Sequence, residues 1–307
     1  MKTMTYAIET SGLTKSYQKT LCVNHIHLKV PFQSIYGFLG PNGAGKSTTM
    51  KMLLGLVKPT QGSVSILGKP LNSRNRLSIL KSTGSLIESP SYYAHLTGRE
   101  NLALVCMMKN VPESDIDRVL AIVRMEKQQN KKAGHYSLGM KQRLGLAAAL
   151  IGQPDLLLLD EPTNGLDPAG IQEMRELICS LPEKYGITVM VSSHLLSEIQ
   201  QMTTHTGIIH KGSLIFQGTM EELKKHSQRQ LKLKTDNNPA ALHLLESMGL
   251  TCQSQEGYLL LPETNDRNTA QLAAYLVENK VGLLRLEEKE KSLEEIFLSL
   301  TGRQVSL

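Results

Sequence analysis

Gly40-Pro41-Asn42-Gly43-Ala44-Gly45-Lys46-Ser47 fits G-x-x-x-x-G-K-[ST] at every fixed position, directly after the apolar run Ser34-Ile35-Tyr36-Gly37-Phe38-Leu39 and before a helical stretch. That context gives the pattern a mechanical meaning. Glycines let successive backbone N–H groups close around phosphate oxygens, and the start of the helix adds the positive end of its dipole. Lys46 can then reach the β and γ phosphates, Ser47 can ligate Mg²⁺, and Thr48 follows within the same phosphate-binding turn. A glycine-rich turn serving only to join a strand to a helix needs neither the lysine nor the hydroxyl. The stretch therefore predicts a nucleotide fold beginning at residue 34.

The neighbouring segments fit an α/β core. Asp155-Leu156-Leu157-Leu158-Leu159-Asp160 and Ile187-Thr188-Val189-Met190-Val191-Ser192 read as strands buried on both faces, with a helix between them around Pro168 to Ser180. Such alternation predicts a parallel sheet. Residues 1 to about 30 instead alternate in short runs, Tyr6 to Glu9 and Cys22 to Leu28, as half-exposed antiparallel strands do. Helical spacing dominates from about 85 to 150, which predicts a helical subdomain. A main domain is expected over 1–227. The tail, 228–307, reads as a small βαββαβ, ferredoxin-like domain with a last helix from Ser292 to Leu300.

The strand ending in Asp160 brings a carboxylate to the carboxyl edge of the sheet, where open α/β sheets bind ligands. Asp160 is expected to hold Mg²⁺, and Glu161, next in the chain, to orient or deprotonate an attacking water. A solvated Asp-Glu pair opening a turn before Pro162 is the plainer alternative.

Composition narrows the partners. The net charge is +6, with Lys and Arg interleaved with acids rather than gathered, which argues against a nucleic-acid partner. Cys22, Cys106, Cys179 and Cys252 are widely spaced without a CxxC pair, so a reduced intracellular protein is expected. The start of the chain lacks the layout of a secretion signal. Its longest apolar stretch, Leu144 to Leu159, is broken by Gln153, Pro154 and Asp155. His25 and His27 alternate on a strand with no third metal ligand nearby, and a surface strand explains them.

Tyr136-Ser137-Leu138-Gly139-Met140-Lys141-Gln142-Arg143 opens a helix with Ser137 as a candidate N-cap. It resembles the LSGGQ signature of ABC ATPases, keeping the serine and the second glycine and differing at the first, third and fifth positions. The resemblance to ABC ATPases covers about residues 4 to 225. It implies an ATP-hydrolysing subunit in which Ser137 and the Gly139 backbone bind the γ-phosphate held by a second copy of the chain, two Mg-ATP lying between the copies. Asn164-Gly165-Leu166-Asp167 is similar to the D-loop, and His194 to the switch histidine that contacts the γ-phosphate. Tyr17 resembles the aromatic that stacks on adenine. The family's Q-loop glutamine falls where this chain has Glu88, which can ligate metal but cannot donate a hydrogen bond when ionised, and which adds negative charge near the phosphates.

Leu86 to Tyr93, Leu96 to Leu102 and the tail Ser292-Leu293-Glu294-Glu295-Ile296-Phe297 resemble bacitracin- and lantibiotic-type ATP-binding subunits. That likeness implies a transmembrane permease partner, a place on the cytoplasmic face of the cell membrane, and export of or immunity to a peptide antibiotic. An ABC-type ATPase acting on nucleic acid or the ribosome is the alternative. It is disfavoured by the single cassette and the absence of a heptad insert.

Overall fold

The computed structural model describes residues 5–18, 20–225, 229–255, 257–262 and 265–290, which pack as two compact units, Met1–Met220 and Glu221–Leu307. In the first, β1 (Tyr6–Tyr17), β2 (Thr20–Ile26) and β3 (Lys29–Pro31) lead into β4 (Ile35–Leu39), the glycine-rich loop and α1 (Lys46–Leu53). β5 (Gln61–Ile66), β6 (Lys69–Pro70), α2 (Arg76–Lys81) and β7 (Thr83–Leu86) precede the helical insert of α3 (Gly98–Lys109), α4 (Ser114–Ile122) and α5 (Leu138–Leu150). The chain then returns through β8 (Leu156–Asp160), α6 (Pro168–Tyr185), β9 (Thr188–Ser193), α7 (Leu196–Met202), β10 (His205–His210) and β11 (Ser213–Thr219).

Two sheets result. The larger has the order β11-β10-β4-β9-β8-β7, parallel from β10 to β7 with β11 as an antiparallel edge. Every residue of β4, β8 and β9 is buried, which is why these strands are written as unbroken apolar runs rather than alternations. The second sheet is antiparallel, β2-β1-β5-β6 with β3 beside β1. Its β1 is one long strand, where the alternation marked only its first four residues. Register shifts between Leu13 and Ser16 break the period and hide the rest of the strand from a reading by alternation.

Register places the chemistry. Asp160 pairs with Ser192 and Leu39 with Ser193, so the carboxyl ends of β4, β8 and β9 finish at one edge, each followed by a loop. The β10–β11 turn braces that edge: the Gly212 N–H donates to Ala44 O at 3.0 Å, and Gly212 O accepts from the Asn24 N–H at 2.8 Å.

The helical insert is fastened by polar contacts. A capping box formed by Thr97 and Glu100 starts α3, and buried Asn101 bonds Tyr93 in both directions, its amide donating to Tyr93 O and its carbonyl accepting the Tyr93 N–H. Asp115 on α4 accepts from Arg118 at 2.5 Å and from the Gly152 N–H at 2.8 Å, while Arg118 also donates to Leu150 O. These bonds fix the far end of α5, and hence the direction in which its first turn points.

α8 (Met220–Lys225) begins at the last residue of the first unit, and the second continues with β12 (Arg229–Thr235), α9 (Asn238–Ser247), β13 (Gln253–Gln255), β14 (Tyr258–Pro262), α10 (Asp266–Glu278) and β15 (Leu283–Glu290). The order β13-β14-β12-β15, antiparallel throughout, is the ferredoxin-like arrangement. Leu231, Leu233, Leu259 and Leu261 from the sheet meet Leu245, Leu272 and Leu276 from the helices in its core. The helix expected from Ser292 lies outside the described residues.

Burial pushes the Asp115 carboxyl upward, but the bonds from Arg118 and Gly152 outweigh it and hold it below its ordinary range. Its stabilising contribution is therefore present above the ordinary carboxyl pKa and lost as pH falls through the lower native value. Asp115→Ala should cost about 2 kcal/mol, because it leaves Arg118 and the Gly152 N–H without an acceptor. Urea unfolding at neutral pH checks the size of the loss, and the difference between the two proteins should shrink below about pH 4.

A candidate nucleotide site at the carboxyl edge of the parallel sheet

Gly45 ends the loop at φ 109° and comes so close to the neighbouring strand that a Cβ there would lie 2.6 Å from Cys22 O. Only glycine fits. α1 then begins with no side-chain cap and no acidic residue in its first turn, leaving its first N–H groups and its dipole available to an anion. Lys46 is 5% exposed, and its ammonium donates to Gly40 O at 2.7 Å and Pro41 O at 3.3 Å and lies 3.2 Å from Glu161 Oε1. A phosphate oxygen presents the same kind of acceptor to this buried charge.

Two carboxylates face the loop. The Asp160 Oδ1 accepts from Ser192 Oγ at 2.5 Å, and that same hydroxyl oxygen accepts the Glu161 N–H at 3.0 Å. Glu161 leaves the strand at φ 49°, a left-handed conformation that costs about 1 kcal/mol or more for a residue with a side chain. The turn places Oε1 near Lys46 and Oε2 3.0 Å from His194 Nδ1. Behind them, buried Glu198 accepts from Thr163 Oγ1 and Ser193 Oγ, tying together the loops that follow β8 and β9.

Ser47, Glu88, Ser89, Gln142, Asp160, Glu161 and Asn164 line a cavity of about 450 Å³. Its hydroxyl and carboxylate oxygens are hard donors of the kind Mg²⁺ takes, one or two carboxylates being enough when phosphates and waters complete the shell. No cluster of three or more metal-ligating His, Cys, Asp or Glu exists among the described residues. The hydroxyl and carboxylate donors of this cavity fit a cation carried by a nucleotide.

Glu88, at φ 64° and 65% exposed, pairs with Lys51 of α1 at 2.6 Å, and this bond raises the Lys51 pKa. The negative charge that the sequence places near the phosphates therefore has a cationic partner, although an exposed pair is screened and weak. Tyr17 ends β1, 45% exposed, with Lys15 Nζ 4.7 Å from its ring centroid; it is not among the residues lining the cavity.

The signature segment lies elsewhere. Ser137 caps α5, its Oγ accepting the Met140 N–H at 3.3 Å, which leaves the hydroxyl proton free to donate. A Cβ on Gly139 would meet only Leu166, at 3.8 Å, so packing gives no reason for a glycine that weakens the helix. A close backbone approach by a ligand would supply one. Ser137, Gly139, Gly165 and Asp167 line a second cavity, of about 580 Å³, which shares no lining residue with the first. Asp167 also caps α6 through Gly170. The structure thus gathers Lys46, Ser47, Asp160, Glu161, Glu88 and His194, and keeps Ser137, Gly139 and Asp167 apart from them. Ser192 and Gln142, to which the sequence assigns no role, belong to the first group; strand register is the signal for Ser192, and none exists for Gln142.

A strand, phosphate loop and helix, with the acidic end of a neighbouring parallel strand facing the loop, define a P-loop nucleotide-binding protein. Comparison with known proteins narrows this. The ABC transporter family model matches residues 23–164. The bacitracin transport ATP-binding protein BcrA of Bacillus licheniformis is 42% identical over 302 residues, 97% of this chain and 98% of that protein. The lantibiotic transport ATP-binding protein SrtF of Streptococcus pyogenes is 43% identical over 210 residues, 68% of this chain and 90% of that one. Among solved structures, an ATP-binding subunit of an ABC transporter aligns with TM-score 0.64 and 29% identity, over 71% of this chain and 92% of its own. The chain belongs to the ATP-hydrolysing, ATP-binding subunits of the ABC transporter family, and the BcrA match spans nearly the whole chain.

Ser192→Ala should leave folding and ATP affinity close to those of the unaltered chain while lowering turnover about tenfold, because it removes the hydroxyl that positions Asp160 and the Glu161 backbone. ATPase rates and nucleotide titrations on the same samples separate the two effects.

Proposed function

We propose that this chain is the motor of a peptide-antibiotic export or immunity transporter, working on the cytoplasmic face of the membrane beneath a permease. The observation that carries the dimeric part of this reading is the separation of the two cavities. Ser137 and Gly139 line a cavity that shares no lining residue with the one holding Ser47 and Asp160, and a second copy placed head to tail can offer them to a phosphate bound at Lys46. The names of BcrA and SrtF support the substrate class. Among the described residues no helix is long and apolar enough to cross a membrane, which fits a separate permease.

In this reading Lys46 exchanges its loop carbonyls for β and γ phosphate oxygens, and Tyr17 stacks on adenine. Ser47 and Asp160 would hold Mg²⁺, and Glu88, which lines the same cavity, would be a further ligand. The cation, when bound, neutralises phosphate charge. Glu161, released from Lys46 and steadied by His194, accepts the proton of the attacking water. Ser137 donates its hydroxyl to the γ-phosphate of the opposite copy, and the Gly139 backbone approaches it. Asp167 keeps the end of the D-loop at the joint between copies.

Lys46→Ala should weaken ATP binding at least tenfold, whereas Glu161→Gln should bind ATP, turn over at least a hundredfold more slowly and dimerise with it. Light scattering with and without Mg-ATP, run beside ATPase assays, tests both. Undiminished turnover in Glu161→Gln would move the base to Glu88, and a chain that hydrolyses ATP while staying monomeric would sink the two-copy mechanism.

A further inference from the structure

Glu88, Asp160 and Glu161 all line the Ser47 cavity, and two of these carboxylates are firmly placed. Asp160 accepts from the Ser192 hydroxyl at 2.5 Å, and Glu161 lies between Lys46 at 3.2 Å and His194 at 3.0 Å. Glu88 meets only the Lys51 ammonium, at 2.6 Å. The two lysine pairs differ in depth: the Lys46 side chain is 5% exposed, whereas those of Lys51 and Glu88 are 33% and 65% exposed. An ion pair so open to water holds by less than about 1 kcal/mol, so Glu88 is the carboxylate that can change partner.

The local structure suits such a change. Lys51 follows Ser47 by one turn on the same side of α1, which sets its ammonium beside the hydroxyl that lines the cavity. The backbone around Glu88 is pinned on both sides. Ile87 packs against the core, and Pro90 lies against α5, where a Cβ on Gly145 would stand 2.9 Å from Pro90 Cβ. Glu88 keeps its left-handed φ of 64° between these anchors, so a change of partner falls to its side chain. Lys51 is not stranded by it, because the last turn of α1 favours a cation and its side chain is partly open to solvent.

We propose that Lys51 is a positioning residue for the metal: it holds the Glu88 carboxylate at the cavity and yields it to Mg²⁺ when nucleotide brings the cation. This rests on the nucleotide-site reading above. Charge is balanced at both stages. Without nucleotide, Lys46 and Lys51 offset Glu161 and Glu88. With it, phosphates and cation arrive together, and Glu88 adds a hard oxygen of the kind Mg²⁺ takes.

The test titrates a fluorescent, non-hydrolysable ATP analogue into the full-length chain with Mg²⁺ and with EDTA, the ratio of the two Kd values being the gain from the metal. Lys51→Met frees Glu88 and should raise that gain about fivefold, the most that an exposed ion pair withholds. Lys51→Arg keeps the cation and should not raise it. In a Glu88→Gln background, Lys51→Met should change the gain less than about twofold, because the two residues act as one pair. The thermal midpoint without nucleotide should barely move in any of these, and Lys51→Gln takes the place of Met if that variant folds poorly. A gain that fails to rise in Lys51→Met, or that rises equally in Lys51→Arg, overturns the proposal. So does an equal rise in the Glu88→Gln background, which would mean that Lys51 acts on the phosphates directly. Lys46→Ala is the control: undiminished binding there fails the nucleotide-site reading, and the Lys51 role with it, whereas lost binding there beside a silent Lys51→Met removes the Lys51 role alone.

Discussion

The hydroxyl of Ser192, shared between Asp160 and the backbone of Glu161, is the contact on which the site depends. Parallel pairing of β8 with β9 sets Ser192 opposite Asp160, and the bond to the Glu161 N–H then fixes where the chain leaves the strand. Because Glu161 turns into the left-handed region at that point, one carboxylate reaches Lys46 in one direction and His194 in the other. Three segments distant in sequence are joined through a single side chain. Substitution of Glu161 therefore removes both a reactive group and the cross-link that orients the other two.

The buried strands behind this edge make such precision affordable. With every residue of β4, β8 and β9 enclosed, a slip in register would expose apolar faces or bury the wrong polar atoms, so the hydrophobic core fixes the relative heights of the three strand ends. The Gly212 turn and buried Glu198 then secure the loops, one holding the phosphate loop from outside and the other bracing the segments after β8 and β9. The structure accepts local strain at Glu161 because the surrounding bonds over-determine it.

Much of this was legible because the chemistry is contiguous in sequence. The phosphate loop, the acidic strand end and the capped helix at Ser137 each carry their own context, and apolar runs identified the strands that surround them. What escaped notice depends on pairing between remote residues. Lys51 stands 37 residues from Glu88, and nothing local announces that it offsets the added charge. Ser192 reads as one more polar residue at a strand end until register places it opposite Asp160. Gln142 is one residue of the signature segment, and nothing local in the sequence marks it as buried beside the cavity that Glu88 also lines. The length of β1 was obscured by its own irregularity, since bulged pairing destroys the alternation by which a strand is recognised.

α5 has a place in both cavities. Its first turn, from Ser137 to Met140, lines one and Gln142 lines the other, just as Asn164 and the residues from Gly165 to Asp167 divide between them on the neighbouring loop. A helix is stiff over so short a distance, so a shift that seats Gln142 differently must also move Ser137. Asp115, Arg118 and Lys109 hold the opposite end of the helix through Leu150, Ile151 and Gly152, and just before its first turn the Tyr136 hydroxyl donates to Gln128 O at 2.7 Å, so one rod tied at both ends to the helical insert carries residues of both cavities.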